Sequence, residues 1–380
     1  MKFYTIAFTK KGANLQQRVK TALYNNFCSD VETREFLSSR IYDELFGDNP
    51  SKIGRASLDE FSNEAWHHAD AILFIGATGI AVRGIAKYIV KKDQDPAVLV
   101  MDELGQFVIP LLSGHIGGAN QLAKKLADDL GSTLVLTTAT DINNKLAIDS
   151  WAVENGFEIA DTKGIAPIAS AILEDRKIAL IASERYAQLL MKKYPHFIWY
   201  DSKDDKDIEV LLEQAGDLPK VLISPFALSG EFLHIVPKTF FVGMGARRDK
   251  DSGEFIRFYD EILSKHRIHR KAVYSINSID LKSDEKAFHD LIAREKESTN
   301  IGLDFFPADE LAKAEQFTSH SFVPSKLVSS VTGVDNVCER AAVMAMVKKL
   351  GEQSRAQVVV EKTKKEGMTI AIVVAGFSPG

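Results

Sequence analysis

Along residues 1–135, short apolar segments alternate with stretches of helical periodicity, and no other feature limits the fold of this chain so strongly. Candidate strands are YTIAF (4–8), AILFIG (71–76), AVLVMD (97–102), VIPLLSG (108–114) and STLVLTT (132–138). They read as apolar runs rather than as alternating patterns, which marks strands buried on both faces of a largely parallel sheet covered by helices. Before the last of them, GANQLAKKLADDLG spaces Leu122, Ala123, Leu126, Ala127 and Leu130 by threes and fours. That spacing predicts a helix from about Gly117 to Leu130, stopped by Gly131. In sheets of this kind, ligands gather where strand C-termini meet helix N-termini.

A chain of 380 residues exceeds one ordinary domain. The pattern divides into three α/β lobes, at 1–137, 138–236 and 237–380. The middle lobe opens with TTATDINNKLAIDSWAVENG, whose Thr140 or Asp141 is suited to cap a helix, and continues through strands KIALIAS and KVLISP. It shows no chemistry beyond that of a small α/β lobe. The C-terminal lobe reads as mixed α/β. KTFFVGMGARR gives a strand and a glycine turn, and further strand–helix units follow from KAVYSINSID and IGLDFFP. A strong helix opens near Asp335 and closes at Gly351, and AQVVVEKTKKEGMTIAIVVAG forms a terminal hairpin.

Several function classes are disfavoured. A formal net charge of -5 argues against nucleic acid as the main partner. The apolar runs are too short and too interrupted to span a membrane, and the N-terminal run is too short for a signal peptide. Cys28 and Cys338 stand far apart without metal-ligand spacing, which fits free thiols in a reducing cytoplasm. Histidines between 234 and 320 lack zinc-binding spacing, so no metal site is expected.

The densest chemistry lies in LLSGHIGGAN, where Ser113, His115 and Asn120 surround Gly117 and Gly118. Such a turn can set polar groups beside exposed N–H donors at a helix N-terminus. His115 has an ordinary pKa of about 6.5, suited to proton transfer near neutrality. A histidine that merely hydrogen-bonds its turn is the plainer alternative. The segment is not a GxSxG elbow, so covalent serine catalysis is not implied. Asp102 ends a strand and either orients a histidine or caps a turn. FIGATGIAVRG places Gly76, Thr78 and Gly79 at a strand-to-helix turn with Arg83 beyond it, which is either an anion cradle or a tight turn with a solvated arginine. Neither GxGxxG nor GxxxxGK[ST] is present, so no nucleotide is specifically indicated. Gly243, Gly245, Arg247 and Arg248 form a second glycine turn with paired arginines, pointing to an acidic ligand. Glu339, in an apolar helix, and Lys362, in the hairpin, are suited to a buried pair, although an exposed helix face accounts for Glu339 equally well.

Four segments, GATGIAVR, LVMDELGQFVIPLLSGHIGGANQLA, VGMGARR and TGVDNVCERAAVMA, occur here in the order seen in the CbiG family of cobalamin biosynthesis. The resemblance covers nearly the whole chain. It implies the cobalt-precorrin-5A hydrolase reaction of the anaerobic vitamin B12 pathway. There a ring-A δ-lactone is opened and the methylated bridging carbon leaves as acetaldehyde, giving cobalt-precorrin-5B. The implied partners are a cobalt-corrinoid substrate and neighbouring corrinoid-pathway enzymes, with no cofactor beyond the cobalt that the substrate carries. On this resemblance His115 is the general base and Asp102 its orienter, while the Gly117-Gly118 amides with Ser113 or Asn120 hold the oxyanion. Gly76, Thr78, Gly79, Arg83, Gly243, Gly245, Arg247, Arg248, Glu339 and Lys362 complete the expected substrate-binding set. The family pattern commonly has a small residue and a cysteine where this chain has Met244 and Ala246, so a cysteine nucleophile there is excluded. Two other classes stay open: a non-catalytic corrinoid carrier, and a nucleotide- or sugar-phosphate-binding α/β enzyme using the Gly76–Arg83 turn.

Overall fold

Seven strands form the first sheet: β1 (Lys2–Ala7), β2 (Glu32–Ser38), β3 (Gly54–Ala56), β4 (Ala71–Ile75), β5 (Ala97–Met101), β6 (Phe107–Leu112) and β7 (Thr133–Leu134). Their order is β3-β2-β1-β4-β5-β6-β7. The first five run parallel, β6 is antiparallel to β5, and β7 is parallel to β6. Both faces are covered, as the apolar runs require. Leu73, Ile75, Leu99 and Met101 enter one core, while Ile72, Phe74, Val98 and Val100 enter the other. β2 and β3 escaped the sequence reading because ETREFLS is charged along half its length and β3 has three residues. The computed structural model describes all residues except 28–30, 50, 92–93, 204–205, 323–334 and 377–380. Cys28 and positions 332–334 of the fourth family segment therefore lie outside the described residues.

The second sheet contains β8 (Phe157–Ile159), β9 (Ile178–Ala182), β10 (Phe197–Asp201), β11 (Lys220–Ile223) and β12 (Leu233–Pro237), ordered β10-β9-β11-β12-β8. The third contains β13 (Phe240–Ala246), β14 (Val273–Ile279), β15 (Gly302–Phe306), β16 (Arg355–Lys365) and β17 (Met368–Gly376), ordered β15-β14-β13-β17-β16. β16 and β17 make the expected terminal hairpin. The helix Val337–Leu350 is apolar nearly all round, and its residues 337–347 are all buried. The Asn336 side chain caps it, accepting from the Glu339 N–H, and Gly351 ends it at φ 92°. Its approach to β13 requires glycine at 243, because a Cβ there would sit 1.7 Å from the Cys338 carbonyl oxygen.

Three sheets resolve into two compact units, Met1–Val153 with Ile172–Asp175, and Glu154–Ala171 with Arg176–Gly380. The short helices Ala139–Ile142 and Ile148–Glu154 thus belong, but for Glu154, with the first sheet, past the boundary expected at 137. The second and third sheets share one unit. Among the described residues, no helix is long and apolar enough to cross a membrane.

Candidate functional sites

Strand direction decides which candidates in the first unit can meet. β6 reverses against β5, with Leu112 opposite Val98, so Ser113–His115 leaves the sheet at the edge where β5 begins. Asp102 follows β5 at the other edge, roughly 15 Å away along the strand at about 3.3 Å per residue. Asp102 therefore does not orient His115. Its carboxylate closes the β5–β6 turn instead, accepting the N–H of Leu104 at 2.9 Å and of Phe107 at 2.6 Å. Gly76, Thr78 and Gly79 share the Asp102 edge, since Ile75 lies opposite Met101 and the Gly76 N–H donates to the Met101 carbonyl. Arg83 is exposed, and its guanidinium reaches the Gly79 carbonyl at 3.4 Å. The two glycine turns of this unit consequently do not form one site.

β6, the helix Ala119–Leu130 and β7 form a strand–helix–strand unit with its own carboxyl edge. The chain leaves β6 sharply, with Ser113 at φ 55° and Gly118 at φ 81°. A Cβ on Gly117 would press to 2.4 Å from that of Ser113, so the glycines serve the close turn. The turn also consumes three of the groups expected to hold an oxyanion, the Gly118 N–H and the side chains of Ser113 and Asn120. Ser113 is buried and its hydroxyl donates to the Asp95 carbonyl at 2.9 Å. The N–H groups of Gly118, Ala119 and Asn120 go to the carbonyls of His115, Ser113 and Gly114. Asn120 donates its amide to Asp141 at 2.7 Å.

His115 is set between two carboxylates that follow β7. Its Nδ1 lies 3.1 Å from Asp149 Oδ2, and its Nε2 lies 3.4 Å from both Asp141 Oδ2 and the Thr140 hydroxyl. Thr140 and Asp141 lie within the helix Ala139–Ile142 rather than capping it; Thr138 occupies the cap position. The imidazole is part-buried, at 18% side-chain exposure against 7% for Asp149 and 26% for Asp141. The hydrogen bond to Asp149 raises the His115 pKa, outweighing burial, with the charges of Asp149 and Asp141 adding to it. For Asp149, burial pushes upward, but the bond and charge of His115 and backbone donors hold its pKa below the ordinary value. Asp149 was missed in the sequence. A pair of acids just past a strand that follows His115 was the available signal.

In the second unit, a cavity of about 690 Å³ lies at the C-terminal ends of β13 and β14 and along the hairpin. Arg247, Arg248, Lys282, Lys362, Lys364 and Lys365 line it against a single acid, Glu366. Three of these cations are neutralised nearby. Arg248 is bidentate to Asp284 at 2.8 and 2.5 Å, Lys282 meets Glu285, and Lys365 meets Glu261. The guanidinium of Arg247 makes no ion pair among the described residues, and its backbone N–H donates to Gly367. Gly245 lines the cavity beside Thr369, whereas Gly243 is spent on helix packing. Glu339 is fully buried, not on an exposed face. Its carboxylate accepts the Asn336 amide and the Lys362 backbone N–H, the latter at 2.8 Å, with His320 Nε2 at 3.5 Å. The expected pair with Lys362 thus runs through that lysine's backbone. Burial raises the neighbouring Cys338 thiol to about 11, keeping it protonated and unreactive. Among the described residues, no group of three or more His, Cys, Asp or Glu side chains is placed to hold a metal ion.

Residues 60–141 match the family described as cobalamin synthesis G N-terminal, and residues 240–373 match the cobalamin synthesis G C-terminus. The cobalt-precorrin-5A hydrolase of Salmonella typhimurium strain LT2 is 30% identical over 319 residues, which cover 83% of this chain and 84% of that protein. The chain belongs to the CbiG family. A second relative, the cobalt-precorrin-5A hydrolase of Priestia megaterium, is 27% identical over 281 residues, covering 72% of each chain. The N-terminal CbiG region includes His115, Asn120 and Asp141 but ends before Asp149. The C-terminal CbiG region includes every cation of the second unit's cavity.

Proposed function

We propose that this chain is a cobalt-precorrin-5A hydrolase, which opens the ring-A δ-lactone and releases acetaldehyde to leave cobalt-precorrin-5B. The match to the Salmonella typhimurium hydrolase across 83% of the chain carries this reading. The substrate is a macrocycle bearing many acetate and propionate carboxylates, and a cation-lined cavity of about 690 Å³ suits such groups.

His115 acts as the general base, and Asp149 takes the orienting role first expected of Asp102. With Nδ1–H donated to Asp149, Nε2 is the nitrogen that gains and loses the proton. Each state of Nε2 has a partner: the Thr140 hydroxyl can donate to the neutral ring, and Asp141 can accept from the protonated one. A raised pKa makes the neutral imidazole a stronger base toward an attacking water. In the first step His115 takes a proton from the attacking water as its oxygen adds to the lactone carbonyl. The lactone C–O bond then breaks, and the departing oxygen takes that proton from His115 to become a hydroxyl while the acyl carbon becomes a carboxylic acid. Loss of that hydroxyl's proton then breaks the carbon–carbon bond, acetaldehyde departs, and the electron pair enters the conjugated ring. The test is to incubate the protein with cobalt-precorrin-5A and trap volatile aldehyde. Aldehyde at no more than the protein-free rate refutes the proposal.

A further inference from the structure

The cavity of the second unit holds one buried charge that no described residue answers. Lys362 lines it, yet its ammonium nitrogen is shut off from solvent and has no hydrogen-bond partner among the described residues. Arg247 and Lys364, also without acidic partners in the cavity wall, differ in being exposed, so water satisfies them. The nearest buried acid does not serve Lys362. Glu339 spends its carboxylate on the lysine's own backbone N–H and on Asn336, with His320 alongside. A buried ammonium with no acceptor among the described residues is costly, and nothing about the hairpin register demands a lysine there. Met368, in the facing strand, shows that this hairpin buries an apolar side chain at the same cavity.

We infer that Lys362 is the anchoring cation of a carboxylate site in the second unit, completed only when a polycarboxylate enters the cavity, with Arg247 contributing at the rim. This rests on the proposed function for the identity of the natural ligand, but the chemistry tested is that of the carboxylate alone. The site gives the substrate a fixed point: one carboxylate is desolvated at Lys362 while others meet solvated cations. A charge held in readiness at the expense of the unliganded fold is what distinguishes a binding lysine from a structural one.

The experiment uses the full chain, with tricarballylate and the cobalt-free tetrapyrrole polycarboxylate uroporphyrin I as probes in calorimetric titration. Lys362→Met keeps the length of the side chain and removes its charge. It is expected to weaken both probes by about ten- to a hundredfold, the range for a lost charge-assisted contact. Its unliganded melting temperature is expected to match or exceed that of the parent. Lys163→Met, which removes an exposed charge outside the cavity, is expected to change neither quantity. Unchanged probe affinity in Lys362→Met, or a lowered unliganded melting temperature, overturns the inference. Inorganic phosphate binding as tightly as tricarballylate overturns the carboxylate class. Should Lys362→Met fail to fold, Lys362→Gln and the thermal shift that tricarballylate produces in the parent decide the matter, and no shift in the parent counts against the site. Failure of the hydrolase reading looks different: the probes bind through Lys362 while cobalt-precorrin-5A yields no acetaldehyde.

Discussion

The His115 turn and the Lys362 cavity handle charge in opposite ways. Around His115, every ionisable group has a counterpart: Asp149 on one ring nitrogen, Asp141 with Thr140 on the other, and Asn120 holding Asp141. The Lys362 cavity is lined by six cations, of which three are paired, and the most deeply placed ammonium has no acceptor among the described residues. A closed network sets the protonation state and direction of one imidazole, which is what proton transfer requires. An open cationic cavity lowers the energy of an incoming anion, which is what binding requires. In the proposed reading, chemistry falls to the first unit and recognition to the second.

The sharpest way to break that division is to remove the orienter of His115. Asp149→Asn is expected to reduce acetaldehyde release by about 10²- to 10⁴-fold, the usual range for a positioned acid–base group, with uroporphyrin I affinity unchanged. Asp102→Asn on the opposite edge is expected to leave the rate intact and to cost stability of about 1 kcal/mol through its turn bonds. Equal rates for the two variants would return His115 to a purely local role.

Next in size is Gly243→Ala, which drives a methyl group into the Cys338 carbonyl. A chemical-denaturation midpoint should report a loss of about 3 kcal/mol, because backbone on both sides resists displacement. A midpoint equal to the parent's would mean that the helix can retreat from β13.

Acidity should separate the two units. His115 holds its proton more tightly when folded, so its contribution is whole below about pH 6.5 and is lost as pH rises through the raised folded value. Asp149 behaves inversely, contributing fully above about pH 3.9 and losing that contribution as pH falls through its lowered value. In the second unit, burial together with His234, Lys271 and Arg270 lowers His269 to about 4, and burial also lowers His234, whose Nε2 bonds the Ser224 carbonyl. Both contributions are whole above about pH 6.5; that of His269 is lost as pH falls through about 4, and that of His234 as pH falls through its own lowered value. Hydrogen exchange between pH 6.5 and 4 should therefore accelerate in β11 and β12 before β4 and β5. Uniform acceleration would remove the contrast. The smallest effect is expected from Arg248→Ala. Its exposed pair with Asp284 is screened by solvent, so the melting temperature should stay within error while Arg247→Ala weakens uroporphyrin I binding.

Much of the first sheet was legible because its inner strands are apolar on both faces, a pattern that survives without knowledge of neighbours. The helix Ala119–Leu130 was legible for its spacing and its glycine stop. His115 stood out by composition, but its partners did not. Asp141 read as a helix cap and Asp149 carried no signal of its own, while Asp102 drew attention as a strand-terminal carboxylate. β6 reverses direction, and so a carboxylate eleven residues before Ser113 ends on the far edge while one thirty-four residues beyond His115 lies against the ring. Glu339 and Lys362 were visible as charges in apolar surroundings, and their burial was not.

By itself, the sequence determined periodicity, strand burial, turn chemistry and the family segments, because each depends on residues close together in the chain. Tertiary structure alone decided which carboxylate answers His115 and which ammonium goes unanswered among the described residues. Electrostatic partnership falls off over a few ångströms in space, and chain reversal at β6 and at the terminal hairpin sets those distances without leaving a local mark.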